Sequence, residues 1–273
     1  MSEEGPNTKG APLLVAAHMR EIEAQVRVCR LCKLSRTRTN AVPGEGDYRA
    51  EVMFIGEGPG YHEDRQGRPF VGNAGDFLNE LLDIAGLSRP SVYITNVVKC
   101  RPPNNRDPEA DEIGACSSYL DRQIALINPR VIVTLGRFSM ARFFPGERIS
   151  QIHGMARVID GRMCVAMYHP AAGLHQASLA DIIRSDFRKL PLFIEQARKM
   201  LAPTVQIEDG ERPAVEDAEV QALVTADPPQ TSEDRQAEVL VQAQAKPPEA
   251  AQKKRGKREK SEGDYKQLNF FDL

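Results

Sequence analysis

The apolar residues of the first 170 positions gather in four short runs: 51–56 (EVMFIG), 92–98 (VYITNVV), 130–136 (RVIVTLG) and 163–169 (MCVAMYH). Each run is bounded by turn-forming or polar residues. Runs that are continuously apolar, rather than alternating, suit strands buried on both faces, as in a parallel sheet. The stretches between them carry helical character at 73–85, 108–127 and 136–144. A further helix is expected at about 179–200, and one before the first strand at about 13–28. Asn73 stands where a helix cap is wanted, and Gly86 where that helix should end. Strands alternating with helices predict an α/β domain: a three-layer α/β/α arrangement around a four-stranded parallel sheet.

Ligands of such sheets bind beyond the carboxyl ends of the strands. Gly56-Glu57-Gly58-Pro59-Gly60 follows the first run. Asn96 lies within the second, followed by Lys99-Cys100-Arg101-Pro102-Pro103. His169-Pro170 follows the fourth. Taken singly, these are a glycine turn, a turn-forming amide and a structural imidazole. Gathered on one sheet edge they form a candidate site. A dinucleotide fingerprint is the rival reading of the glycines, but Tyr61 occupies the position of its third glycine. Asn96 also stands where a ribose-binding acid would be expected.

Composition changes the picture beyond residue 200. The chain has 273 residues, 41% hydrophobic, no Trp, and a net charge of −2. Residues 201–273 carry 15 acidic and 10 basic side chains, against 23 and 26 in the first 200. From 202 onward Pro, Glu, Asp, Gln and Ala dominate and no structural period survives, which predicts disorder. The expected organisation is a disordered start at 1–11, a folded domain at 12–201 and a disordered tail at 202–273. Lys253, Lys254, Arg255, Lys257, Arg258 and Lys260 form a basic run in that tail, suited either to solvation or to loose contact with nucleic acid phosphates. No apolar stretch is long enough to cross a membrane. Residues 1–9 lack the pattern of a secretory signal, so the expected compartment is the cytoplasm.

Five cysteines in such a chain read as ligands, nucleophiles or core filler. Cys29 and Cys32 form a Cys-x-x-Cys pair. Cys100 follows the second strand and Cys116 falls in the next helix. Two clusters of two can supply four thiolates to one metal centre. The second pair is wide and spans a proline-rich loop, which favours an iron–sulfur cluster over zinc without deciding between them. Cys164, inside a strand, reads as core.

These motifs together resemble the family-four uracil-DNA glycosylases, the iron–sulfur group of their superfamily. The resemblance rests on Cys29-x-x-Cys32, GEGPG at 56–60, GRPFVG at 67–72, TNVVKCRPP at 95–103, Cys116 and His169-Pro170, and it spans about residues 28–200. It implies a [4Fe–4S] cluster held by Cys29, Cys32, Cys100 and Cys116, with no ligand role for Cys164. It implies a monofunctional enzyme that acts on uracil-containing DNA, single- or double-stranded, and leaves an abasic site. Some relatives carry a basic insertion with a His that traps the sugar; residues 100–116 hold no such insertion or His, so turnover is expected. The HPAAGLHQ stretch matches the family's mobile loop more loosely.

The residues suit this chemistry. An extruded uracil must be read by edge and face. The Asn96 amide offers a donor to O4 and an acceptor to N3–H, a pattern that cytosine reverses. Phe70 can stack on the ring. His169 can donate to O2 as negative charge builds on the departing base. Gly56, Glu57 and Gly58 let the main chain approach the base, and the Glu57 and Gly58 amides could add to the donors there. Gly58 stands where other families place a water-positioning Asp, so Glu57 is the candidate for organising water. Tyr61 and Glu63 are candidates to exclude thymine, and Leu174 to wedge into the base stack. Lys99, Arg101, Arg106 and Arg137 are candidate phosphate contacts.

The chain ends Gln267-Leu268-Asn269-Phe270-Phe271-Asp272-Leu273. It resembles the short peptides by which bacterial repair proteins dock on the sliding clamp, and a flexible tether would raise the local concentration on clamped DNA. A monomer is expected, with no membrane partner. Two function classes compete: a glycosylase, or a metal-stabilised nucleic-acid-binding module with a degraded site. The joint presence of Phe70, Asn96 and His169 favours the enzyme.

Overall fold

The protein is described here from a computed structural model covering residues 10–200, with side chains from Leu14 onward. The basic run and the terminal peptide at 267–273 lie outside the described residues, as do nearly all of the two segments expected to be disordered. The strands are β1 (Glu45–Gly46), β2 (Val52–Gly56), β3 (Tyr93–Asn96), β4 (Val131–Leu135), β5 (Met155–Ile159) and β6 (Arg162–Met167). The helices are α1 (Gly10–Val28), α2 (Tyr61–Gln66), α3 (Asn73–Ile84), α4 (Ala110–Ile127), α5 (Arg137–Phe143), α6 (Ile149–Ile152), α7 (Pro170–His175), α8 (Ala177–Phe187) and α9 (Leu190–Met200). No helix among the described residues is long and apolar enough to cross a membrane.

The sheet has six strands in the order β1-β3-β2-β4-β6-β5. The four expected strands form its parallel centre. Two short antiparallel strands, β1 and β5, extend the edges beyond the expected count. Neither announces itself in the sequence. β1 is two residues long, and β5 shows the half-exposed pattern of an edge rather than a continuous apolar run.

Alternation along each central strand builds two cores. Val52 and Phe54 of β2 point to one face, where they meet Phe77, Leu78 and Leu81 of α3, Phe187 of α8 and Ile194 of α9. Met53 and Ile55 point to the other, against Met19, Ile22 and Val26 of α1 and Tyr119, Leu120 and Ile124 of α4. All five β2 residues are buried. This is the three-layer arrangement expected from continuous apolar runs.

The helix boundaries differ from expectation in three places. Gly72, not Asn73, occupies the N-cap of α3, with no side-chain cap bond. Gly86, at φ +68°, ends that helix as expected, and the Leu87 amide donates to Leu82 O at 2.9 Å to close it. The single helix expected over 179–200 is two, broken at Arg188–Lys189, because Pro191 lacks an N–H and its ring clashes with the carbonyl one turn earlier. Helix α1 begins two residues before the expected domain start.

Candidate functional site

The register of the parallel strands sets the site. Gly56 pairs with Asn96, and Leu135 with Met167. The ladder continues past the strand ends: Val97 N donates to Gly56 O, and Val98 N to Glu57 O, both at 3.0 Å. On the far side Gly136 N donates to Met167 O at 2.9 Å. The glycine loop, Asn96 and His169 therefore leave the sheet at one edge, held by main-chain bonds.

A cleft of about 660 Å³ opens there. Gly58, Phe70, Asn96 and His169 line it, together with Gly60, Tyr61, His62, Glu63, Arg101, Asn104, Asn105, Leu174 and His175. That volume is within the range of ligand pockets and exceeds the needs of one pyrimidine ring. Of the residues chosen to meet the base, Gly56 and Glu57 are outside the lining, with Gly56 forming the floor behind it.

The floor is close-packed. A methyl on Gly56 would stand 2.3 Å from Asn96 Oδ1 and 2.8 Å from the Phe70 ring. Only hydrogen fits there, so three residues far apart in sequence meet at one point. The Phe70 and His169 rings stack with centroids 5.4 Å apart and planes at 26°. They are too near to admit a base between them. A base bound here lies beside the pair, against the part of Phe70 that faces the cleft.

Asn96 is 2% exposed, and its Oδ1 is buried with no hydrogen-bond partner from the chain itself. An orphaned buried acceptor is costly and uncommon in a folded protein. It faces the same point as the Phe70 ring, and it is what an imide N–H needs.

His169 is the N-cap of α7, and its Nδ1 accepts from Ala171 N at 3.1 Å. That bond leaves the ring proton on Nε2. Burial pulls the imidazole pKa down to about 4, so the ring is neutral near pH 7 and donates from Nε2. Glu57 is half-buried. Burial first, and Asp107 second, push its carboxyl up to about 7, against the pull of Arg137.

Phe70 sits on a strained backbone, at φ +50°. Its loop is clamped from three sides. Glu63 Oε1 accepts from Val71 N at 2.9 Å and Gly72 N at 3.1 Å. Arg89 donates to Pro69 O at 2.5 Å while also binding Glu45 at 2.8 Å. A methyl on Gly75, inside α3, would stand 2.0 Å from Phe70 O. Sequence reasoning missed Gly75 and the clamping role of Glu63. A lone glycine within a helical stretch was the available signal, since it often marks a close approach.

The outer wall carries Tyr61, half exposed, with the Arg101 guanidinium 5.2 Å and the Arg65 guanidinium 6.0 Å from its ring centroid. Leu174, 46% exposed on α7, stands at the rim. Among the expected phosphate contacts, Lys99 needs correction. Lys99 is only 1% exposed and cannot reach a phosphate. Arg106 binds the fully buried Glu112 through both terminal nitrogens, at 2.7 and 2.9 Å. Arg137 pairs with Asp107. Of the four, Arg101 lines the cleft.

The four cysteines form a second constellation on the α1/α4 side of the sheet. Cys100 and Cys116 are buried, and Cys29 and Cys32 pack against the same core. Burial raises the Cys32 and Cys100 thiols and pushes Cys116 up to about 12. The other cysteines add to each rise: Cys29 at Cys32, Cys32 and Cys29 at Cys100, Cys100 and Cys29 at Cys116. Arg38 Nη1 donates to Cys100 Sγ at 2.9 Å, and its Nη2 to Cys29 O at 2.9 Å. Lys99 N approaches Cys116 Sγ at 3.3 Å. Among the described residues no three metal-ligating side chains close on a single ion. Cys164 is 1% exposed in the core, as expected.

A parallel sheet whose carboxyl edge presents a glycine loop, an amide and an imidazole around one cleft defines a member of the uracil-DNA glycosylase superfamily. The family profile, Uracil DNA glycosylase superfamily, matches residues 43–191, and the chain belongs to that family. Its similarity is to the type-4 group. It is 51% identical over 182 residues to the type-4 uracil-DNA glycosylase of Sulfurisphaera tokodaii, an alignment covering 63% of this chain and 83% of that one. It is 46% identical over 179 residues to the type-4 enzyme of Archaeoglobus fulgidus, covering 62% and 90%. To that of Thermotoga maritima it is 43% identical over 183 residues, covering 65% and 95%.

Proposed function

We propose that the protein excises uracil from DNA by hydrolysing the bond between C1′ of the deoxyribose and N1 of the base, leaving an abasic site. The observation that carries this reading is the orphaned Oδ1 of Asn96, packed with the Phe70 ring over Gly56. A uracil extruded from the stack satisfies that acceptor with N3–H and offers O4 to the amide nitrogen. Cytosine has no N3–H and places a donor at position 4, so each mismatch leaves a buried polar group unpaired, at roughly 1–3 kcal/mol apiece. Extrusion costs a few kcal/mol, and stacking on Phe70 offsets part of it.

Bond cleavage leaves negative charge on the base. A neutral His169 with its proton on Nε2 stabilises that charge by hydrogen bonding and has no proton to lose first. The main-chain amides of Glu57 and Gly58 add to the same field. Glu57 is assigned to water or loop organisation. Tyr61 and Glu63 stand on the wall that would meet a 5-methyl, and Leu174 at the rim is the candidate wedge. Arg101 supplies phosphate contact.

The same reading assigns a [4Fe–4S] cluster to Cys29, Cys32, Cys100 and Cys116. Four cysteines against one core, with burial raising the Cys32, Cys100 and Cys116 thiols and Arg38 donating into the Cys100 sulfur, fit a group that takes up thiolates and holds them together. When bound, such a cluster supplies a covalent tie between the loop after α1, the loop after β3 and α4.

The test is a duplex and a single strand each carrying one uracil, incubated with the protein and then with alkali. Strand scission at uracil alone is expected, with matched cytosine and thymine oligonucleotides left intact. An intact uracil strand at protein excess refutes the assignment.

A further inference from the structure

Among the described residues Lys99 is the largest charged side chain that is fully buried, 1% exposed. Its ammonium group donates to three neutral acceptors: Thr95 Oγ1 at 2.6 Å, Gln123 Oε1 at 2.7 Å and the main-chain oxygen of Asn96 at 2.8 Å. All three protons are used. The acceptors are in turn fixed: Gln123 Nε2 donates to Pro43 O at 2.8 Å and Tyr93 Oη at 3.1 Å, and Thr95 Oγ1 reaches Pro43 O at 2.9 Å. The Lys99 main chain is engaged as well. Its N–H faces Cys116 Sγ, and its carbonyl accepts from Val42 N at 2.7 Å.

A lysine desolvated this completely costs far more than a surface lysine, and an apolar residue of equal length would fill the same space. What the lysine adds is geometry. The chain from Asn96 to Cys100 curls back on itself beyond the end of β3, and the Lys99 side chain fills the inside of that curl. It fixes the peptide of the residue with the orphaned amide to the loop that carries Cys100 and to the helix that carries Cys116.

We propose that Lys99 is a positioning residue for base recognition: by holding the Asn96 carbonyl, Thr95 and Gln123 in one cluster, it aims the Asn96 amide into the cleft and ties that aim to the four-cysteine centre. This rests on the reading of Asn96 as the uracil-reading residue. Lys99 touches neither base nor phosphate.

The test uses the full chain with its metal in place. Wild type, Lys99→Met, Thr95→Val and Thr95→Ser are compared by calorimetric binding of free uracil, by KM and kcat on the uracil oligonucleotide, and by iron content and visible absorption. Lys99→Met should weaken uracil binding and raise KM about tenfold, the scale of one well-placed hydrogen bond, with the smaller change in kcat. Iron content should match wild type. Thr95→Val should shift the same two quantities in the same direction by less, and Thr95→Ser should restore them. A folded Lys99→Met protein that binds uracil as tightly as wild type overturns the inference, as does iron loss that accounts for the whole change. If Lys99→Met does not fold, unchanged uracil binding in Thr95→Val overturns it. Failure of the wild type to cleave at uracil would instead strike the function assignment, since the binding measurement is made independently of cleavage.

Discussion

His169 shows how one side chain is prepared for one task. Its Nδ1 is committed to the Ala171 amide and its ring is desolvated against Phe70, so it donates from Nε2 without being charged. Replacing it by Gln should lower kcat about 10²–10³-fold, the usual loss on removing a donor aimed at developing charge, while uracil binding changes little. Single-turnover rates with calorimetry separate the two. The same environment has a stability signature. The folded-state pKa of about 4 lies below the 6.5 of a free imidazole, so on acidification the unfolded chain takes up the proton first. The contribution is fully present above pH 6.5 and is lost as pH falls towards 4. Denaturant midpoints measured over that window should fall with a shallower slope in His169→Gln than in wild type. Glu57 gives a limb on the other side. With its carboxyl near 7, the ionised form grows through neutrality. If it organises water, kcat rises across pH 6–8, and Glu57→Gln is flat and slower by up to about 10²-fold. A wild-type profile without that rise would assign Glu57 to loop packing.

At the scale of elements, the loop 67–72 is where the proposed stacking on the base is set. Phe70 holds φ +50° because Glu63, Arg89 and α3 leave it no other place. Gly75→Ala puts a methyl 2.0 Å from Phe70 O, against backbone that cannot swing aside. Overpacking of this kind costs about 1–3 kcal/mol. The expected result is a thermal midpoint lower by several degrees and a KM raised about tenfold, read from melting curves and steady-state kinetics; a normal KM would mean the loop is not what presents Phe70. Sequence showed the loop through its arginine, proline and glycines, and it showed the four central strands because apolar runs buried on both faces leave a local trace. It did not show the clamp. Glu63 reads as one more surface acid, and its bonds to Val71 and Gly72 amides exist only once α2 has formed. β1 and β5 were hidden for a related reason: an edge strand is half-exposed and borrows its geometry from the strand beside it. Lys99 was misread because a lysine near a strand end is ordinarily solvated, and nothing local announces a cluster of neutral acceptors assembled from Thr95, Asn96 and Gln123.

Across the whole molecule the two constellations sit on opposite sides of one short segment. Residues 96–100 carry the amide proposed to read the base at one end and one of the four clustered cysteines at the other. The four cysteines come from the segment after α1, the segment after β3 and α4 itself, all on the α1/α4 side of the sheet. Between Cys100 and Cys116 the chain is further held by Arg106 on the buried Glu112, with Lys33 reaching Glu109 from the Cys29-x-x-Cys32 side at 2.5 Å. If the proposed cluster is bound there, removing it has two separable consequences. The cysteine sulfurs, held as thiolates by a bound cluster, would take up protons and lose their common partner, and the domain would lose the stabilisation that a bound metal lends the folded state. The segment 96–100 would also lose one of its two anchors, so the proposed aim of Asn96 would loosen even where the fold survives. Cys116→Ser, or iron removal by a chelator under reducing conditions, should lower the thermal midpoint and abolish the visible absorption. It should also weaken uracil binding by more than a destabilised but folded population explains. Cys164→Ser is the control: the residue is as deeply buried but belongs to the opposite end of the α1/α4 core, and its loss should lower stability while leaving iron content and uracil affinity at wild-type values. Equal effects of the two substitutions on uracil affinity would mean that the cysteine centre only stabilises the domain, and that base recognition is set by the sheet edge alone.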